Sequence, residues 1–143
     1  MGKYRIALVG CGGMGRSHLK TLAGMEDFEV VGLCNISRES IGLAREICGE
    51  TAGFDDYGQM YDELKPDAVT VATQTRGHHG PTVAALERGI SVLCEKPISI
   101  DLQEADEMVA SGEKSGAKLA INQQNHVNPA VRRGQELVRE GAL

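Results

Sequence analysis

The sequence predicts an α/β fold: a doubly wound, mainly parallel sheet of six strands in the order 3-2-1-4-5-6, with helices on both faces. Three observations predict it. Apolar runs of strand length alternate with amphipathic stretches of helix length, a pattern that calls for parallel strands joined by right-handed crossovers. The first run, Tyr4–Val9, is almost continuously apolar, as a central strand covered on both faces must be. A G-x-G-x-x-G turn, Gly10–Gly15, follows it directly. An α+β sandwich is the competing architecture.

The elements follow in order. After the glycine turn, Met14, Leu22 and Met25 are spaced for one face of a helix over Met14–Met25, which Gly24 ends. Its opening is expected between Gly12 and Met14. Phe28–Cys34 is a valine-rich second strand. Ser37 caps a helix over Arg38–Cys48, and Gly49 stops it. Thr51–Phe54 is a short third strand. Tyr57–Leu64 is a short helix ended by Pro66. Ala68–Val71 is the fourth strand, and a polar loop runs from Thr73 to Gly80. Pro81 suits the first turn of a helix closed by Gly89. Ser91–Cys94 is the fifth strand. Asp101 and Glu104 make a capping box for a helix over Leu102–Ser115. Lys118–Ile121 is the sixth strand, and Asn128 with Pro129 opens a helix to Glu140.

Composition excludes several classes. Fifteen basic against 20 acidic side chains leave a formal charge of −5, without the basic excess of a nucleic-acid binder. Aromatic residues make up only 3%, too few for a base-stacking platform. No apolar run approaches the ~20 residues of a membrane span, and glycines interrupt any signal-like core from Gly10. A cytoplasmic location is expected. The four cysteines (Cys11, Cys34, Cys48, Cys94) form no C-x-x-C pair, so they read as reduced thiols, and no metal site is expected.

The glycine turn carries the first chemistry. Gly10 permits the sharp strand-to-helix turn, Gly12 leaves room for a pyrophosphate, and Gly15 lets the helix lie close to the sheet. The amides of Gly12, Gly13 and Met14 and the positive end of the helix dipole then face the phosphates. Asn35 stands 20 residues beyond Gly15, at the end of the second strand. An acidic residue there binds the adenosine ribose and repels the 2′-phosphate of NADP. Asn35 is neutral, and Ser37 and Arg38 stand ready to hydrogen-bond and neutralise that phosphate. The alternative is that Ser37 only caps and Arg38 is only solvated. The residues favour NADP and leave NAD open.

A second group follows the later strands. Glu95-Lys96-Pro97 lies at the carboxyl edge, where ligands bind in open α/β sheets. The Lys96 ammonium there can hold a substrate hydroxyl or carbonyl oxygen. Thr73, Gln74, His78 and His79 occupy the loop after strand four. Gln123, Gln124, Asn125 and His126 follow strand six.

These stretches, GCGGMGRSH at 10–18, VATQTRGHH at 71–79, LERGISVLCEKPIS at 86–99 and NQQNHVNPAV at 122–131, resemble the N-terminal half of the glucose–fructose oxidoreductase / inositol dehydrogenase / rhizopine catabolism (Gfo/Idh/MocA) family. The resemblance spans essentially the whole chain. It implies a Rossmann domain carrying NAD or NADP, with Lys96 in the catalytic site and His78 as the family's histidine of the fourth loop. It implies a cis Lys96–Pro97 bond beneath the nicotinamide, and sugars, polyols or related compounds as substrates. The cofactor contacts it suggests are Gly10, Gly12, Gly13, Met14, Gly15, Asn35, Ser37, Arg38, Thr73, Gln74, His78, Glu95, Lys96, Pro97 and Gln124. The chain departs from the family at Asn35, where Asp is frequent, at Gln74, where Pro is common, and at His126, where Arg is common. The family also has a second α/β domain, whereas this chain stops at Leu143.

The expected organisation is a dinucleotide domain over 1–125 and a helix over 126–143 leading toward that second domain. The expected function is the NAD(P)-binding half of an oxidoreductase that transfers hydride to or from a hydroxylated substrate. The isolated chain is expected to bind dinucleotide without useful turnover, because positioning of the substrate supplies ~7–11 kcal/mol. A non-catalytic dinucleotide-binding module, such as a redox sensor or partner-dependent subunit, is the alternative. A methyltransferase accounts for the glycine turn but leaves Lys96 without a role.

Overall fold

A computed structural model describes residues 2–142. Its strands are Tyr4–Val9 (β1), Phe28–Cys34 (β2), Ala52–Phe54 (β3), Ala68–Val71 (β4), Ser91–Glu95 (β5) and Leu119–Asn122 (β6). They form one six-stranded sheet in the order β3-β2-β1-β4-β5-β6. Every neighbouring pair is parallel. The helices are Gly13–Ala23 (α1), Arg38–Cys48 (α2), Tyr57–Leu64 (α3), His79–Leu86 (α4), Leu102–Ser115 (α5) and Pro129–Arg139 (α6).

The continuous apolar run of β1 is explained by burial on both faces. Leu8 packs with Leu19 of α1, Leu33 of β2, and Ile41 and Ala44 of α2. Ala7 and Val9 point the other way, into a cluster with Met60 and Tyr61 of α3, Leu86 of α4 and Met108 of α5. Leu8, Leu19 and Leu33 are fully buried. Truncating such a leucine to alanine costs ~2–5 kcal/mol.

Local chemistry sets the helix ends. Ser37 Oγ accepts the Ser40 amide at 3.3 Å, and Asn128 Oδ1 accepts the Ala130 amide at 2.9 Å. Asp101 Oδ1 accepts the amides of Gln103 and Glu104. The capping box differs in its second half: Glu104 bonds the Ser99 hydroxyl, and Ser99 Oγ accepts the Asp101 amide. The box closes through a third side chain.

Several boundaries move by one or two residues. The polar loop after β4 contains a 3₁₀ turn, Thr75–Gly77, and α4 opens at His79, ahead of Pro81. The Thr82 amide is the first to bond back, to His78 O, so Pro81 still sits where a missing N–H costs nothing. β6 starts one residue late, at Leu119, and runs through Asn122. β5 extends to Glu95. A second 3₁₀ turn, Gln124–Val127, leads into α6, which buries none of its residues.

Register aligns the strand ends. Val9 pairs with Cys34 and Val71, Val71 with Cys94, and Glu95 with Asn122. The segments starting at Gly10, Asn35, Ala72, Lys96 and Gln123 therefore leave the sheet along one edge.

Candidate functional site

At the end of β1 the chain turns at Gly10, whose φ of +96° lies in the region that favours glycine. The turn is seated against the end of β4: a Cβ on Gly10 would lie 2.7 Å from the Ala72 carbonyl. A Cβ on Gly15 would lie 1.9 Å from Gly10 O, so α1 can approach only with glycine there. Gly12 and Gly13 are different, since a Cβ on either meets nothing within 4 Å. Gly12, the N-cap, offers no side chain to the first turn of α1. That turn therefore presents unsatisfied amides and the positive end of the helix dipole. Phosphate oxygens of a dinucleotide fit the open space over Gly12 and Gly13.

This turn forms one wall of a cleft of about 900 Å³. Gly10, Gly12, Gly13 and Met14 line it, together with Asn35, Ser37, Thr73 and Gln74. Ile36, Asp55, Tyr57 and Arg76 also line it. None of these four was among the site residues read from the sequence. Asp55 enters because β3 pairs with β2 and the Asn35 amide bonds Phe54 O at 3.0 Å. Thr73 Oγ1 is buried and makes no hydrogen bond among the described residues.

Asn35 is part of the turn itself. Its Oδ1 accepts the Cys11 amide at 3.1 Å and its Nδ2 donates to Ser37 O at 3.3 Å. Arg16 braces the same turn, with Nη1 donating to Cys11 O at 2.9 Å. Arg38, the first residue of α2, is exposed beside Ser37. Cys11 and Cys34 are buried in this region, and burial pushes their thiols up to about 11 and about 12. Both stay protonated and unreactive at neutral pH.

Lys96 follows β5 at the same edge and is exposed. Its bond to Pro97 is cis. His78 is buried beneath this element. Its Nδ1 is 2.9 Å from Pro97 O and its Nε2 is 3.2 Å from Thr73 O. The ring thus joins the loop after β4 to the loop after β5. His79, next to it, points elsewhere and pairs with Glu107 at 2.9 Å.

Glu95 is 5% exposed and fully engaged. Oε1 accepts from Asn122 Nδ2 at 2.6 Å and from His18 Nε2 at 2.8 Å, and Oε2 accepts the Lys96 amide at 3.2 Å. Burial pushes its pKa up, but the hydrogen bonds from Asn122, His18 and the Lys96 amide outweigh burial and hold it below the usual carboxylate range. Neither His18 nor Asn122 was foreseen as a site residue. The His18 signal lay in its spacing, one helical turn after Met14 on the same face. Gln124 lies apart from the main cleft. It lines a second cleft of about 510 Å³ with Met14, His18, Leu93 and Asn122.

Comparison with known proteins agrees with this geometry. A family model, Gfo/Idh/MocA, described as an oxidoreductase family with an NAD-binding Rossmann fold, matches residues 4–123. D-apiose dehydrogenase of Paraburkholderia graminis is 28% identical over 99% of this chain and 38% of its own length. D-glucoside 3-dehydrogenase of Escherichia coli is 30% identical over 97% of this chain and 40% of its own. Among solved structures, the WlbA dehydrogenase of Chromobacterium violaceum, in complex with NADH and UDP-GlcNAcA, superposes with a TM-score of 0.88 at 27% identity, covering 96% of this chain and 40% of that one. Scyllo-inositol dehydrogenase of Lactobacillus casei shares the fold, with a TM-score of 0.87 at 21% identity over 98% of this chain and 42% of that one. The chain thus spans about two fifths of the length of these relatives.

Proposed function

The chain belongs to the Gfo/Idh/MocA oxidoreductase family, and from that premise we propose that its cleft serves a dehydrogenase acting on a hydroxyl or carbonyl of a sugar, polyol or related compound. The observation that carries this reading is the uncapped first turn of α1 opening over Gly12 and Gly13, with Lys96 on the same sheet edge. A bound nicotinamide supplies or accepts the hydride.

The chain's residues divide the remaining work. The amides of Gly12, Gly13 and Met14 hold the pyrophosphate, with Gly10 and Gly15 shaping the turn. Asn35, Ser37 and Arg38 meet the adenosine end. Thr73 and Gln74 flank the cofactor between its ends. Glu95, Lys96 and Pro97 meet the nicotinamide end, and Gln124 approaches it from the neighbouring cleft. Lys96 is the catalytic residue: its ammonium holds the reacting oxygen of the substrate and orients it. His78 contributes as a positioning group, since its buried ring holds Thr73 O and Pro97 O. The absent carboxylate at Asn35 and the cation at Arg38 favour NADP(H), with NAD(H) also accepted. Residues 1–125 form the cofactor domain, and 126–143 lead toward a second domain that supplies the other wall of the substrate site. The curated relatives named above are sugar dehydrogenases, in line with a hydroxylated substrate. No described helix is long and apolar enough to cross a membrane. A cytoplasmic location is part of this proposal.

Titration of the 143-residue chain with NADH, NADPH and S-adenosylmethionine, followed by fluorescence and calorimetry, tests the reading. Binding of the nicotinamide dinucleotides alone, without turnover of a panel of sugars and polyols, is expected. Lys96→Ala should leave cofactor affinity within about twofold. Failure of both dinucleotides to bind at millimolar concentration overturns the proposal.

A further inference from the structure

Glu95 closes β5 as a buried carboxylate immediately before an exposed lysine. Burying a carboxylate is costly unless it is well bonded. Here three donors meet it: His18 from α1, Asn122 from β6 and the Lys96 amide. The α1 that brings His18 is also the helix whose first turn opens on the cleft. Its Met14 lines both that cleft and the one beside His18.

We infer that His18 is a positioning residue for Lys96, acting through Glu95, so that the phosphate-binding helix and the backbone of the catalytic lysine move as one body. The inference rests on the functional reading above. Its physical basis is that one carboxylate is shared. His18 and Asn122 bind Oε1 at 2.8 and 2.6 Å, while the Lys96 amide binds Oε2 at 3.2 Å. The carboxylate is a rigid plane, so a pull on Oε1 turns Oε2. A change in the charge of the His18 ring changes how strongly Oε1 is held, because hydrogen bonds between ionised partners are about twice as strong as neutral ones. The Lys96 amide then feels that change through Oε2. The residues that line the cleft with His18, from α1, β4, β5, β6 and the turn over Gln124–Val127 among others (Met14, Ser17, Thr70, Leu93, Asn122, Gln124), are uncharged. Glu95 is the charged group that the ring bonds, at 2.8 Å, with Lys96 next along the chain.

A merely structural pair would hold β5 to α1 without transmitting anything to Lys96. The two cases separate in a titration of the ¹⁵N-labelled 143-residue chain. The Lys96 amide resonance is followed with the His18 ring resonances from pH 5 to pH 9, without and with NADH. The positioning role predicts a step in the Lys96 amide shift at the midpoint of the His18 ring. His18→Gln keeps a side-chain N–H donor without a titration, so the step should vanish while the amide stays near its wild-type position. His18→Leu removes the donor, and exchange of the Lys96 amide with solvent should quicken about tenfold, the equivalent of one hydrogen bond. A Lys96 step that persists in His18→Gln overturns the inference. So does an unchanged Lys96 amide in His18→Leu. Should His18→Leu not fold, the comparison of wild type with His18→Gln decides alone. Should the ring not titrate in this range, the exchange rate in His18→Leu decides. NADH that fails to bind would strike the functional proposal and leave this coupling measurable in the free chain.

Discussion

Asn35 Oδ1 accepts the Cys11 amide proton at 3.1 Å, so a residue that lines the cleft is also a strut of the glycine turn. Its Nδ2 reaches Ser37 O, which ties the same side chain to the start of α2. In the proposed function, choice of cofactor and shape of the turn therefore meet in one amide.

Asn35→Asp retains an oxygen for the Cys11 amide and adds a negative charge at the adenosine end. NADPH affinity should fall about tenfold or more, since the fixed charge opposes the 2′-phosphate. NADH affinity should hold or improve. Calorimetric titration with both cofactors checks this, and equal loss of both would show that Asn35 acts only as a strut. Asp55, which lines the same cleft, supplies the converse test: Asp55→Asn should strengthen NADPH binding and spare NADH.

Arg38→Ala should weaken NADPH and leave NADH unchanged. One charge-assisted hydrogen bond is worth ~1.5–3 kcal/mol, which is about tenfold or more in affinity. Fluorescence titration against the wild-type chain reads the difference. Loss of neither cofactor would show Arg38 to be solvent-facing only.

Gly12→Ala and Gly15→Ala should separate binding from stability. A Cβ at Gly12 meets no protein atom within 4 Å, so Gly12→Ala should fold with a melting temperature close to wild type. Its methyl enters the space that the proposal gives to the phosphates, and both dinucleotides should weaken about tenfold or more. A Cβ at Gly15 lies 1.9 Å from a backbone oxygen, so Gly15→Ala must push α1 from the turn. It should lower the midpoint of urea unfolding as well as abolish binding. Thermal melts and cofactor titrations on the two variants make the comparison.

The Glu95 carboxyl is held below its ordinary value of 4.5 in the folded chain. A group whose folded pKa is lowered contributes stability that is complete above its unfolded pKa and lost as pH falls through the folded one. Stability should thus decline as pH drops from about 5 into the range below ordinary carboxylates. In Glu95→Gln that part of the decline should be missing, and the variant should be less stable at neutral pH because its amide faces three donors. Urea unfolding of both proteins from pH 3 to pH 7 tests the sign. Parallel curves for the two would assign the acid sensitivity to other carboxylates.

The sheet order and the glycine turn were legible because both are written in short-range patterns: the unbroken apolar run of β1 and the spacing from Gly10 to Gly15. The placing of Glu95-Lys96-Pro97 at the carboxyl edge was legible because it follows the short apolar run of β5. The partner of Glu95 was not, since His18 lies 77 residues away and meets it only once α1 has packed across the sheet. Asp55 was hidden for the same reason, being brought to the cleft by the pairing of β3 with β2. The start of α4 was misplaced because Pro81 signals a first turn without saying which of its positions it takes. Ser99 was overlooked because the motif at Asp101 and Glu104 already reads as complete in two residues. The burial of His78 between two carbonyls is not legible either, because it follows from a loop that curls through a 3₁₀ turn rather than running extended.

The seating of Gly10 against Ala72 has a consequence for the order in which the molecule assembles. β1 lies at the middle of the sheet, between a partner at residues 28–34 and another at residues 68–71. The second pairing closes a long loop, a step that slows folding in parallel sheets. Until β4 docks, the turn is held from β2 alone, through Cys34 O and Asn35 Oδ1, and the wall that Ala72, Thr73 and Gln74 give the cleft is missing. During synthesis the nucleotide cleft therefore cannot form when the glycine motif leaves the ribosome. It must wait until residues 72–81 have emerged, and a nascent chain cut before β4 would carry the whole G-x-G-x-x-G motif with only one side of the cleft around it.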